Sequence, residues 1–381
     1  MNFSVNKRLL LLSFFAMIGC VDLNAQVLQK VERAIRSHQN ISYTDIVRIK
    51  FHFQEDFTAD TLTSQVMPIA NEPIGGGYYL VKNTKQSYAF DGNKLVKLYA
   101  PDSTYKVEKE PVEGQNTRTL LYWAKNIAKL SQLPAAKIRQ LQDTVIHNVT
   151  YTNILVTEKD TLINNEHQYN ATHFIIDQQS YLPKHILIQM EGTADDGSLM
   201  KILETHSYSN YRVDQKSFPD LSSAIIPAHF KTPPKRVPAV FLPNGTPAPA
   251  IKAIDPSGKA FNLDELKGKT VLINFSLVGC PHCVGAAQML NRLHEKYKEK
   301  GLVIVNIYPL DQKDAIMKFD HKENVKTTSY TSEKSVQQTY PFDGYPSFYL
   351  IDQNGKVAQS YKGFYKGLES EIASALNGQG K

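Results

Sequence analysis

The sequence predicts two unlike folded parts: a mainly antiparallel β domain, a half-barrel with helices, followed by an α/β domain. Three observations predict this. Short strands rich in aromatic and β-branched residues follow one another through the first half with little helix between them. From about residue 270 onward, near-continuous apolar strands alternate with helical segments, the pattern of a sheet buried on both faces. Between the two lies FKTPPKRVPAVFLPNGTPAP, residues 230–249, whose prolines remove backbone donors and hold their neighbours extended. A length of 381 residues agrees with two domains or more at roughly 150 residues each.

The chain opens with Lys7-Arg8 and the apolar run LLLLSFFAMIG, a basic start and a core of the length of a secretory signal, too short to cross a bilayer stably. The boundaries expected are a signal over 1–25, cleaved after Ala25, a mainly β domain over 26–230, a proline-rich linker over 231–249 and an α/β domain over 250–381. Export to the periplasm or cell envelope follows. Met17-Ile18-Gly19-Cys20 resembles a lipobox whose cysteine would carry lipid, but the next helix begins at Val27 and leaves little tether, which favours the soluble form.

In the first half, VLQKVERAIRSH reads as an amphipathic helix, and Ile49, Phe51 and Phe53 alternate with Arg48, Lys50 and His52 as in a half-buried strand. GYYLVKN, QSYAF and KLVKLYA continue the series, with Asp91-Gly92 turning the last two into a hairpin. After one helix around RTLLYWAKNIAKL come VTYTNILVTEK, THFIIDQQ, LPKHILIQM and LETHSYSNYRV. This order, with YAFDGNKLVKLYAPDS in the middle and HFIIDQQSYLPKHILIQ near the end, resembles the LolA-like lipoprotein carriers. The resemblance implies a concave face able to hold a lipid, an acyl chain or a peptide. A curved sheet filled by its own aromatics is the alternative.

In the second half the strand KTVLINFS leads into the helix PHCVGAAQMLNRLHEKYKEK, and GLVIVNIY into DQKDAIMKFDH. PSFYLID, the turn Asn354-Gly355 and VAQSY then form a strand pair, closed by a helix around LESEIASAL.

Of three cysteines, Cys20 falls in the leader, so Cys280 and Cys283 of GCPHCVG are the only thiols of the folded part. An exported chain with one close pair has no structural disulfide framework, which isolates that pair for function. Cys280 ends a strand and Pro281 suits the first position of a helix, where its missing N–H would have no partner. The unpaired N–H groups and the positive end of the helix dipole then stabilise a Cys280 thiolate, and a protonated His282 adds to the effect. Cys283, one turn along, is placed to resolve a mixed disulfide. Haem attachment requires histidine where Val284 stands. Zinc could take Cys280, Cys283 and His294, but a fourth ligand at finger spacing is missing, so no metal is expected. The net charge of +6 includes Lys231, Lys235 and Arg236 of the linker and comes with no nucleic-acid motif, so it reads as solvated surface.

TPAPAIKAIDPSGKAFNLDELKGKTVLINFSLVGCPHC resembles the thioredoxin-like domains of the TlpA/ResA thiol-disulfide oxidoreductases, and the likeness runs from about Ala248 to Leu376. It implies a thioredoxin fold with Cys280 as attacking thiol, Cys283 as resolving thiol and Pro346 as a cis-proline facing them. Tyr345 would offer its backbone to an extended substrate. The implied partners are protein disulfides or dithiols and an external redox partner, with no cofactor beyond the Cys280–Cys283 disulfide. The chain departs from that family at Ser276 and Gly279, where tryptophans are usual, at Ala286, where a glutamate is common, and at Asn274, where thioredoxin has a buried aspartate. The Pro281-His282 dipeptide is that of the oxidant DsbA, whereas the fold suits a reductant, and reductase stands slightly ahead. The competing reading is an envelope binding protein whose first domain holds a lipophilic ligand or a partner, the redox module being ancillary.

Overall fold

The computed structural model describes residues 23–52, 54, 56–111, 119–163, 166–193, 199–235 and 237–378. Residues 1–22 of the predicted leader, with Lys7, Arg8 and Cys20, lie outside them, as do Phe53 and Arg236, while residues 23–25 belong to the first helix. Among the described residues no helix is long and apolar enough to cross a membrane.

The first half is built from α1 (Leu23–Ser37), β1 (Ile41–Phe51), β2 (Thr58–Pro68), β3 (Gly77–Lys82), β4 (Gln86–Phe90), β5 (Leu95–Tyr99), β6 (Thr104–Glu108) and α2 (Leu120–Leu130). It continues through β7 (Ile138–Gln140), β8 (Thr144–Ile146), β9 (Val149–Ile163), β10 (Glu166–Asp177), β11 (Pro183–Thr193) and β12 (Leu199–Val213). Together the strands form one twelve-stranded sheet in the order β6-β5-β4-β3-β2-β1-β12-β11-β10-β9-β7, with β8 on β9. Every pairing in it is antiparallel.

Helix α1 turns Ala25, Leu28, Val31 and Ile35 inward, a three-and-four spacing that makes one apolar stripe. Its first turn comes four residues ahead of the predicted start at Val27, because Ala25 packs into the core and the Asn24 side chain donates to Ile138 O at 3.1 Å. Helix α2 starts at a Thr119 cap, whose hydroxyl accepts from Tyr122 N at 3.3 Å. Both helices pack on one face of the sheet, and Tyr43, Tyr79, Phe90, Trp123, Phe174 and Tyr208 fill the space between. That filling is the alternative set against a ligand-holding concavity.

A charged group is built into this core. His206 on β12 pairs with Asp45 of β1 at 2.8 Å and with Glu204 at 3.1 Å, and both His206 and Asp45 are almost sealed from solvent. Burial pulls the imidazole down, but the hydrogen bonds and charges of the two carboxylates override it and hold the group up at about 9.

The second half contains β13 (Ala253–Ile254), β14 (Thr270–Phe275), α3 (Pro281–Tyr297), β15 (Leu302–Tyr308), α4 (Lys313–Lys322) and β16 (Thr328–Ser332), then α5 (Val336–Thr339), β17 (Ser347–Ile351), β18 (Val357–Lys362) and α6 (Leu368–Gly378). The sheet order is β13-β16-β15-β14-β17-β18, with β14, β15 and β16 parallel and the rest antiparallel. Every residue of β14 is buried. Leu272 joins the layer of α3 and α6, while Val271, Ile273 and Phe275 join Tyr340 and Phe342 on the other face. This is the thioredoxin-like α/β fold, and the central strand β14 aims at the cysteines.

The proline-rich segment is tied down at both ends. Lys231 pairs with Ser103 and Tyr105 of the first sheet, and from Ala239 onward the segment bonds to Asp343, Tyr349, Val357 and Gly355. Phe51, at the end of β1, packs with Val278, Val284, Tyr308 and Phe319 beside the second sheet.

Replacing His206 with alanine strands Asp45 as an uncompensated buried carboxylate, and urea unfolding should show a loss of about 3–5 kcal/mol. Because the imidazole is raised on folding, its contribution is full below pH 6.5 and is lost as pH rises through about 9. The difference between wild type and variant should shrink over that window.

Candidate active site

Strand β14 ends at Phe275, and Ser276 still follows the sheet through a 2.9 Å bond from its N–H to Ile307 O. The chain then turns through Gly279, whose φ of +82° suits a residue without a side chain. Cys280 is the residue before the helix, with extended φ and ψ of −93° and 119°, and Pro281 takes the first helical position. The N–H groups of Cys283 and Val284 both close on Cys280 O, at 3.0 and 3.2 Å. The sequence places Cys280 outside the helix and its donors inside.

The two sulfurs differ sharply in environment. Cys280 is half-buried and Cys283 is 1% exposed. A hydrogen bond from the Cys283 thiol is the largest influence lowering Cys280; burial opposes it, and the Cys283 N–H, the charge of His282 and the His282 N–H complete the effect. Cys280 is pushed down to about 7. Burial, and then the neighbouring Cys280, push Cys283 well above its ordinary range. One sulfur is made nucleophilic and the other kept protonated.

The structure brings the remaining predicted residues to the same place. The Tyr345–Pro346 peptide is cis, Pro346 is buried at the head of β17, and the Cys280 thiol donates to Tyr345 O across 3.6 Å. His282 is exposed on the first turn of α3. Two grooves flank the sulfur: one of about 430 Å³ runs along Tyr345 and Pro346 with Pro238, Asp343 and Lys362, and one of about 290 Å³ lies beside Gly279 with Lys318, Lys322, Gln54 and Asp56. The first lies where an extended chain would meet the Tyr345 backbone. The second is walled partly by residues that follow β1.

His294, the third ligand weighed for zinc, sits eleven residues beyond Cys283 on α3, about 16 Å along the axis, so the three cannot meet. It is half-buried, with Nδ1 enclosed and unpartnered, which differs from a helix-surface histidine. Among the described residues no three His, Cys, Asp or Glu side chains gather in a metal-binding cluster. Sequence reasoning missed Asp311 at the site, and it noted Ser276 only as a departure from the family and not as a neighbour of Cys283. Asp311 Oδ2 accepts from Val278 N at 3.0 Å and braces the cysteine loop, and Ser276 neighbours the Cys283 thiol. Asp311 has no local signature, since it acts through the approach of two loops far apart in sequence.

A strand–helix corner carrying a half-buried low thiol, a buried high thiol and a facing cis-proline defines a thioredoxin-fold dithiol module. A model of the Redoxin family matches residues 243–376. The thiol-disulfide oxidoreductase ResA of Bacillus thuringiensis subsp. konkukian is 32% identical over 120 residues, which is 31% of this chain and 69% of that protein. ResA of Bacillus subtilis is 27% identical over 137 residues, 36% of this chain and 75% of that one. The thioredoxin domain of a thiol-disulfide oxidoreductase from Bacteroides vulgatus is 26% identical, covering 36% of this chain and 99% of its own, with a TM-score of 0.33. Through its second half, the chain belongs to the ResA family of thiol-disulfide oxidoreductases.

Alkylation of the reduced chain by iodoacetamide, followed by peptide mass mapping, tests the asymmetry. Labelling of Cys280 should rise with pH around a midpoint of about 7, while Cys283 stays unlabelled until the chain is denatured. Equal labelling of both at neutral pH would contradict the burial difference.

Proposed function

We propose that this protein is an exported thiol-disulfide oxidoreductase that works through Cys280 and Cys283, with reduction of protein disulfides its favoured direction. The Cys280 thiolate attacks one sulfur of a substrate disulfide; a bond forms to Cys280 and the substrate S–S bond breaks, releasing one substrate thiolate. Cys283 gives up its proton and attacks Cys280, forming the internal disulfide and releasing the second substrate thiolate. An external dithiol returns two electrons and two protons to the pair. Pro281 and His282 tune the thiolate, and Tyr345 and Pro346 receive the substrate backbone. The redox-active pair is the only cofactor this cycle requires.

The observation that carries the reading is the half-buried Cys280 at the start of α3, lowered to about 7 and faced by Tyr345 O. The same value favours reductase over oxidase. A thiolate stabilised further makes the disulfide a stronger oxidant: thioredoxin titrates near about 7, DsbA near about 3.5. The Pro-His dipeptide alone therefore carries less weight than the whole corner. The binding-protein alternative is not favoured, because the face of the first sheet under α1 and α2 is filled by its own side chains.

Equilibration with thiol buffers should give a potential nearer about −270 mV than about −120 mV. His282→Gln removes a charge that stabilises the thiolate, so its potential should be more negative and its Cys280 midpoint higher. A wild-type potential near that of DsbA would reverse the direction. Cys283→Ala should accumulate mixed disulfides with client proteins, and a Cys280/Cys283 double substitution should abolish insulin reduction.

For localisation, the proposed leader has two exits, and α1 bears on the choice. Cleavage after Ala25 would remove the buried Ala25 and the Asn24–Ile138 bond, whereas processing at Cys20 would keep both. The lipid-anchored form is therefore favoured over the soluble one. Mass spectrometry of the mature N-terminus should find acylated Cys20, and a chain starting at Gln26 would refute it.

A further inference from the structure

Resolution of the mixed disulfide obliges Cys283, sealed in α3, to lose a proton with no direct path to solvent. Two residues near it supply no base: Ala286 is a methyl group, and Asn274 is an amide whose Nδ2 donates to Asn306 Oδ1 at 2.9 Å. The residues beneath α3 nevertheless form a polar band in an otherwise apolar layer. Asn274 and Ser276 come from β14 and its extension, Asn306 and Tyr308 from β15, and Ser329 from β16. The register sets Asn274 beside Asn306 and Asn306 beside Ser329, and the period of two puts Ser276 and Tyr308 on the same face, one step nearer the cysteines. Ser276 and Tyr308 are each 1% exposed and Ser329 is 4% exposed.

These groups connect in space. Ser276 neighbours both the Cys283 sulfur and Tyr308. Tyr308 neighbours Ser329 and feels the charges of both Asp320 and Cys283. Asp320 projects from α4 and adjoins Ser329. Its Oδ1 is enclosed and has no hydrogen-bond partner, and neither has Ser329 Oγ or Asn274 Oδ1. A buried carboxylate oxygen left unpaired costs stability, so its retention calls for a role.

We infer that Asp320 is the proton acceptor for Cys283, reached through the hydroxyls of Ser276 and Tyr308, a positioning residue that acts through the relay and not by contact with substrate. The inference rests on the dithiol reading above. In the resolving step the Cys283 S–H bond breaks as its sulfur bonds to Cys280; the proton passes to Ser276, the proton of that hydroxyl to Tyr308, and the phenol proton onward to the Asp320 carboxylate. The Cys280–substrate bond breaks and its electron pair leaves on the substrate thiolate. No external oxidant enters. In the opposite direction Asp320 returns the proton to Cys283. Burial raises Asp320 to about 6, so at neutral pH it is mostly ionised and able to accept. The titratable groups facing this path are Cys280 and Tyr345 across the site and Tyr308 from β15. Tyr308 is itself raised far above its usual range by burial and then by Asp320, so it stays a neutral hydroxyl throughout.

The test is stopped-flow mixing of the reduced chain, with Cys20 replaced by serine in every variant so that Cys280 and Cys283 are its only thiols, with excess dithio-bis-nitrobenzoate, which releases one coloured thiolate as Cys280 attacks and a second as Cys283 resolves. In Asp320→Asn and in Tyr308→Phe, which keeps the ring, the second phase should slow by about tenfold or more while the first keeps its rate and serves as the control for folding. The wild-type second phase should also fall as pH drops through about 6, a limb that Asp320→Asn should lack. Asp320→Glu should recover part of the rate. An unchanged second phase in both variants, or equal slowing of both phases, overturns the relay while leaving the dithiol reading intact. If Cys283→Ala still releases two equivalents, the dithiol reading itself fails, and the relay with it.

Discussion

A sulfur that carries charge at one stage of a reaction and none at the next needs donors that are in place before the charge arrives. Water supplies donors only by reorienting, whereas a helix start holds its first N–H groups fixed and unpaired. In this chain the requirement is met by a corner. Cys280 keeps extended backbone angles, Pro281 contributes no donor, and the N–H groups of His282 and Cys283 help lower the sulfur, the latter while also closing on Cys280 O at 3.0 Å. The corner is only as rigid as the strand that delivers it. Strand β14 is buried along its whole length and paired on both sides, which fixes where Cys280 emerges.

The same burial that fixes the corner creates a difficulty one turn later. Cys283 faces the sheet and loses access to water, so its proton must travel through protein or stay. Most residues beneath α3 are apolar, such as Leu272, Ile304 and Leu350, and a polar band among them costs stability that a simple core would retain. That the band lies at the cysteine end of the layer, and not across it, separates it from incidental core polarity. The first domain meets this end of the molecule too. Phe51 closes the small cluster around Tyr308 and Phe319, so the sheet of the first half helps keep the band dry.

Much of this was legible in the sequence because the second half is local in its logic. Strand, turn, proline and cysteine are consecutive, so CPHC reads directly as a helix start, and Tyr345-Pro346 announces the facing segment. The first half was legible where strands alternate cleanly or carry a turn such as Asp91-Gly92. β2 and β6 escaped notice because TADTLTSQVMP and TYKVE are mostly polar and take their place from neighbours already in the sheet. β16 escaped for a similar reason, since TSYTS is a strand only because it borders β15. The Asp45–His206 pair and the approach of Asp320 to Tyr308 could not be read at all, because each joins residues on separate strands or on a helix and a strand. Pairing of that kind is set by register, and register is invisible until the sheet is assembled.

In the proposed cycle binding and chemistry would meet at Tyr345. In the reduced chain its carbonyl accepts the Cys280 thiol proton across 3.6 Å. When Cys280 ionises, the donor disappears and a negative sulfur faces a carbonyl oxygen, an arrangement that two acceptors cannot satisfy between themselves. The carbonyl is then free for a donor from outside, and an extended substrate lying in the groove along Tyr345 and Pro346 carries its N–H groups at that level. In the proposed cycle deprotonation would therefore activate the nucleophile and expose the hydrogen-bond acceptor for its target in a single event. Once the proposed mixed disulfide formed, the sulfur would have no proton to reclaim the carbonyl, and the substrate would stay seated until Cys283 displaced it.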